Sequence, residues 1–137
     1  MRHFLTLFTL LCGLNAFAQT QTSAITQEEI MKMISKGKGY TLVFLKKGPN
    51  RETVDKATLE KNQMDHLRHM MNLKRQGVLP LFGPFTDEGD IRGICIYNST
   101  DKEKVTEWLA MDPHIKSGYL TYEIKPWFGI PGDQLPN

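Results

Sequence analysis

The sequence predicts a single α+β domain in the order β-α-β-β-α-β, with one further helix in front of it. Two observations predict this. Four short runs are rich in β-branched and aromatic residues, and two segments between them carry apolar residues at helical spacing. The length of 137 residues suits one domain around one core. The order is the ferredoxin-like arrangement, a four-stranded antiparallel sheet with two helices on one face. The other sheet face is then bare in a single copy, and apolar surface of that size usually meets a partner.

The first residues read as something other than the domain. Met1-Arg2-His3 is a short positive start, Phe4 to Leu14 is apolar, and Ala16-Phe17-Ala18 puts small residues where a signal peptidase cuts. Residues 1–18 are therefore expected to be a cleaved signal peptide, and the mature chain to be exported to the periplasm or beyond. The apolar run is shorter than the roughly 20 residues that span a bilayer, so no membrane association is expected after cleavage. A lipid anchor on Cys12 is disfavoured by the bulky Leu11 before it.

The chain holds 17 basic and 15 acidic side chains, and Arg2 lies in the signal, so the rest is close to neutral. Without a basic cluster, nucleic acid is not an expected partner. Of the two cysteines only Cys95 remains after cleavage, and no internal disulfide can form. Its place in an apolar strand predicts burial.

Residues 19–38 form a polar leader and the extra helix. Thr26 and Glu29 make a capping box, with Ile25 and Ile30 at the spacing of a hydrophobic staple. Ile30, Met33 and Ile34 line one face, Gly37 and Gly39 close the helix, and that face is expected to pack on the domain. Tyr40 to Leu45 is nearly all apolar, which predicts a strand buried on both faces. Lys47-Gly48-Pro49-Asn50 breaks it. A long helix follows from about Lys56 to Gln76. Leu59, His66, Met70 and Leu73 lie on one side with Leu67 and Met71 beside them, and Asn62, Asp65, His69, Asn72 and Gln76 lie on the other. Gly77 ends it.

Val78 to Phe85 contains Pro80 and Gly83-Pro84 and reads as an edge strand. After the Asp87-to-Asp90 turn, Ile91 to Tyr97 alternates as a third strand. Thr100 and Glu103 suggest a second capping box, opening a helix that points Val105, Trp108 and Leu109 at the core. Asp112-Pro113 ends that helix. Leu120, Tyr122 and Ile124 alternate with Thr121, Glu123 and Lys125 in a fourth strand, expected to stop at Pro126.

Several of these stretches, in order, resemble the YCII-related family of the dimeric α+β barrel superfamily. They are Tyr40 to Leu45 with Lys47-Gly48-Pro49, His66-Leu67, Gly77-Val78-Leu79, Gly83-Pro84-Phe85, the run Asp87 to Gly93, Asp112 to Gly118, Tyr122-Glu123 and Pro126-Trp127. The resemblance covers a domain at residues 39–128, leaving a tail at 129–137. It implies a homodimer that joins two sheets into a barrel, a small-molecule pocket between helices and sheet, and a His and an Asp at that pocket. Those positions match His66 and Asp112. Relatives include isomerases, dehalogenating lyases and oxygenases of small oxygenated, often ring-derived compounds. The export signal and the extra helix depart from the usual family pattern.

Each candidate residue also has a plainer role. His66 sits on the apolar side of its helix, where a core histidine bonded to backbone is the alternative to a proton carrier. Asp112 before Pro113 is an ordinary N-cap, and a capped carboxylate can still orient an imidazole. The two are expected to meet within hydrogen-bond reach. Arg92 is either a carboxylate-binding group or a solvated strand end, and Pro84 with Gly83 shapes a pocket rim or a bare turn. His114 could be a metal partner, but His66 and His69 diverge and no zinc spacing is present, so neither metal nor cofactor is expected. Two functions of different class follow: a lyase- or isomerase-type enzyme using His66 and Asp112, or a non-catalytic, small-molecule-binding or stress-associated dimeric module.

Overall fold

The computed structural model describes residues 24–133, 135 and 136. Residues 1–18, expected to be a signal peptide, lie outside the described residues. Eight elements follow in order: α1 (Gln27–Ile34), β1 (Lys38–Lys47), α2 (Lys56–Arg75), β2 (Leu81–Pro84), β3 (Ile91–Tyr97), α3 (Lys102–Ala110), α4 (Pro113–Lys116) and β4 (Leu120–Gly129). Among the described residues, no helix is long and apolar enough to cross a membrane.

The four strands form one antiparallel sheet in the order β2-β3-β1-β4. The most apolar strands, β1 and β3, take the centre, and the Pro-containing strands β2 and β4 take the edges, where a missing N–H leaves no ladder bond unmade. Pro126 therefore does not end β4, which continues to Gly129 and pairs Trp127 with Tyr40.

The two central strands alternate in burial. Thr41, Val43, Leu45, Gly93, Cys95 and Tyr97 are buried, whereas Leu42, Phe44, Ile94 and Ile96 between them are only half-buried. Strand β1 is thus covered on one face rather than both, because all the helical cover lies on one side. The core joins that inner face to Met70 and Leu73 of α2, Val105 and Leu109 of α3, and Leu79 and Leu120. Cys95 is buried as expected, and burial followed by the negative charge of Asp112 pushes its thiol up to about 12.

Helix starts are set by short acceptors. Thr26 and Glu29 form the expected box at α1. Asp55 caps α2 through Thr58 N at 2.9 Å. At α3 the cap is Asp101, bonded to Lys104 N at 3.0 Å, and not a Thr100–Glu103 box. The helix starts one residue later than such a box requires, so Lys104 and not Glu103 stands at its third position. No residue of α1 is buried, so its apolar face does not pack into this domain, and Ile30, Met33 and Ile34 stay exposed. Its cap is Ser35, ahead of Gly37. Helix α2 ends as expected, at Gly77, whose φ of +72° suits glycine.

Candidate active site

Helix α2 and the short helix α4 lie in contact on the inner face of the sheet. His66 sits in the middle of α2, and Asp112 is the N-cap of α4 with Pro113 at its first turn. This brings the two expected residues together. His66 Nδ1 lies 2.7 Å from Asp112 Oδ2, while Asp112 Oδ1 accepts from His114 N at 2.9 Å. One carboxylate oxygen caps the helix and the other holds the imidazole, so structural and chemical roles coexist in one side chain.

The pair is well shielded, with side-chain exposures of 12% and 2%. Burial disfavours charge on Asp112, but the hydrogen bond and charge of His66 and the amide of His114 outweigh it and hold the carboxyl below its ordinary value. An ionised Asp112 accepts from Nδ1–H, which leaves Nε2 of His66 as the nitrogen able to exchange a proton.

His66 lines a cavity of about 220 Å³ between α2, the β2–β3 edge and the α4–β4 turn. Its wall includes Gln63, Met70, Phe82, His114 and Tyr119. The His66 and His114 ring centroids are 4.8 Å apart, and Tyr119 lies 4.8 Å beyond His114. His114 Nε2 is 3.0 Å from Gln63 Oε1, so a neutral ring donates there and its Nδ1 carries the lone pair. Burial, then the charges of His66 and Arg51, lower the pKa of His114 against the opposing pull of Asp112.

Arg92 and Pro84 both reach the cavity rim. The Arg92 guanidinium, however, donates to the carbonyls of Asp87 at 2.7 Å and Gly89 at 3.2 Å, closing the turn before β3. His69 is half-buried rather than on a solvated face. Its Nε2 lies 3.0 Å from the Trp108 carbonyl, toward α3 and away from the cavity. Among the described residues, no group of three His, Cys, Asp or Glu side chains is arranged to hold a metal ion.

A family model for the YCII-related domain matches residues 40–128, most of the chain. The chain belongs to the YCII-related family. No curated protein matches it. Among solved structures it is similar to 5-chloro-2-hydroxyhydroquinone dehydrochlorinase (TftG) from Burkholderia phenoliruptrix AC1100, determined in complex with 2,5-dihydroxybenzoquinone. The identity is 21%, the match covers 64% of this chain and 92% of that one, and the TM-score is 0.50. That likeness speaks for the α+β fold alone. In this YCII-related domain no local sequence pattern points to Gln63, Tyr119 or Arg51 as cavity walls, and the sequence offers His114 only as a candidate metal ligand. The two-residue step from Asp112 to His114 was a usable signal, because an N-cap carboxylate bonds the amide two or three residues on. Arg51 lies in an aperiodic loop that offered none.

Proposed function

We propose that this YCII-related domain is a small-molecule enzyme of lyase or isomerase type, with His66 as its general acid–base and Asp112 as the group that orients it. The observation that carries this is the 2.7 Å contact between His66 Nδ1 and Asp112 Oδ2 at the wall of a cavity. With Asp112 holding Nδ1–H, Nε2 takes a proton from a carbon next to a carbonyl, and the imidazolium so formed is stabilised by the carboxylate. The same nitrogen returns the proton to the substrate, or to its leaving group. A cavity of about 220 Å³ suits a compound of one ring. A small oxygenated ring compound is the substrate class we favour, on the family's chemistry and on the quinone bound in the dehydrochlorinase.

The proposed protein is exported, and works as a homodimer that covers the outer sheet face. Leu42, Phe44, Ile94 and Ile96 lie half-exposed there, and a groove beside them is lined by Tyr40, Leu81, Ile96 and Trp127.

Turnover of small oxygenated ring compounds by the wild type, against variants, tests the mechanism. His66→Ala is expected to abolish it. Asp112→Asn is expected to lower kcat by about 10²–10⁴-fold while the fold survives, since Asn still caps α4. Full activity in His66→Ala would refute the dyad. Ligand binding with no turnover in the wild type would instead favour the non-catalytic module.

A further inference from the structure

Of the two arginines that line the His66 cavity, Arg92 is hydrogen-bonded within its own turn, whereas the Arg51 side chain makes neither a hydrogen bond nor an ion pair among the described residues. Its position is imposed from outside. Gly48 N donates to Tyr119 O at 3.0 Å, Asn50 N to Gly118 O at 2.9 Å, and Asn50 Nδ2 to Ser117 O at 3.0 Å. These bonds staple the loop after β1 to the turn before β4. They hold the Arg51 guanidinium carbon 4.2 Å from the centre of the Tyr119 ring, at the cavity's edge. Contact with a ring face leaves the guanidinium's N–H donors available to a ligand.

The charge inventory of the wall is one-sided. Arg51 and Arg92 line it, and no Asp or Glu does. Asp112 is buried behind His66. Arg92 already donates to two carbonyls of its own turn.

We propose that Arg51 makes this cavity a site for a small planar organic anion, such as a ring carboxylate or enolate, held by the guanidinium against Tyr119 and beside His66. The inference rests on the cavity being the substrate site and names the charge of what it takes. A planar guanidinium pairs with a carboxylate through two parallel N–H···O bonds, which a neutral amide cannot match. The anion's ring then lies among Tyr119, Phe82 and Met70, which supply apolar contact. Arg51 is thus a specificity-determining residue rather than a proton carrier.

The test is calorimetric titration of the mature protein with benzoate and with benzamide, probes of one shape and different charge. Benzoate is expected to bind at least about tenfold more tightly, with the preference falling as salt is raised. Arg51→Gln should bring benzoate down to the benzamide level, leave benzamide within about twofold and leave the unfolding midpoint nearly unchanged. Arg51→Lys should keep part of the preference, and it decides the matter if the Gln variant does not fold. Equal binding of the two probes, no measurable binding of either, or a preference that survives in Arg51→Gln overturns the proposal. So does a preference lost in Arg92→Gln instead. This readout needs no turnover, so a failed acid–base mechanism and a failed anion site give different results.

Discussion

At the scale of single residues, the site depends on side chains that hold two partners at once. Asp112 is the clearest case, since each carboxylate oxygen has its own donor. His114 is equally constrained. It is buried, donates to Gln63, and faces His66 on α2, Arg51 on the loop after β1, and Tyr119 in the turn before β4. Burial and the neighbouring positive charge lower its pKa from 6.5, so below that pH the unfolded chain takes up this proton before the folded one. A depressed pKa contributes stability that is complete above the unfolded value and is lost as pH falls. Stability is therefore expected to decline below about pH 6.5, by up to about 1.4 kcal/mol per pH unit, until folded His114 titrates. Asp112, whose pKa is also lowered, adds a second loss below the ordinary carboxyl value. Urea midpoints across this range should show the first decline in the wild type and a flatter profile in His114→Gln. An unchanged profile would mean that other groups set it.

At the scale of elements, the connections position the chemistry more than the helices do. The loop after β1 is bonded to the α4–β4 turn, and that contact has no room for a side chain at Gly48. A Cβ there would stand 2.1 Å from Gly118 O and 2.7 Å from the carbonyl carbons of Gly118 and Tyr119. Backbone cannot yield as a flexible side chain would. Gly48→Ala is expected to destabilise the fold by about 1–3 kcal/mol, and to weaken benzoate binding with Arg51 itself unchanged. Chemical denaturation and titration of the same variant measure both. A Gly48→Ala protein of wild-type stability would show that the two turns part easily.

At the scale of the whole molecule, the outer sheet face presents half-exposed apolar side chains. Its centre pairs Leu42 with Ile96 and Phe44 with Ile94, while Glu123 and Lys125 border it on β4. Burying such a patch in a homodimer would remove apolar area worth about 25 cal/mol per Å². Light scattering at micromolar concentration should report a dimer, and Phe44→Lys should shift it toward monomer with the secondary structure kept. Mass spectrometry of the same sample, taken from the exported fraction, is expected to place the first residue at Gln19. A wild-type monomer would remove the barrel, and an uncleaved cytoplasmic product would remove the export reading.

The sequence by itself determined the order of the strands and longer helices, the edge placement of Val78–Phe85 and the burial of Cys95, each written in local pattern: strand alternation, helical spacing and proline. His66 and Asp112 stood out through the family resemblance, and the contact of α2 with the short helix α4 sets them 2.7 Å apart. What it misjudged depends on what lies across the molecule. Tyr40–Leu45 was expected to be covered on both faces because its composition is apolar throughout, but burial depends on which side the helices take. Pro126 was expected to end a strand because proline lacks an N–H, and only the sheet order shows that β4 is an edge where this is tolerated. His69 was assigned to a solvated face by helical angle alone, yet α3 supplies a carbonyl there. The cavity itself was decided by tertiary structure. Arg51 and Tyr119 stand 68 positions apart in the sequence, and no local rule joins them. Only the bonds between two turns bring the cation over the ring beside the imidazole pair.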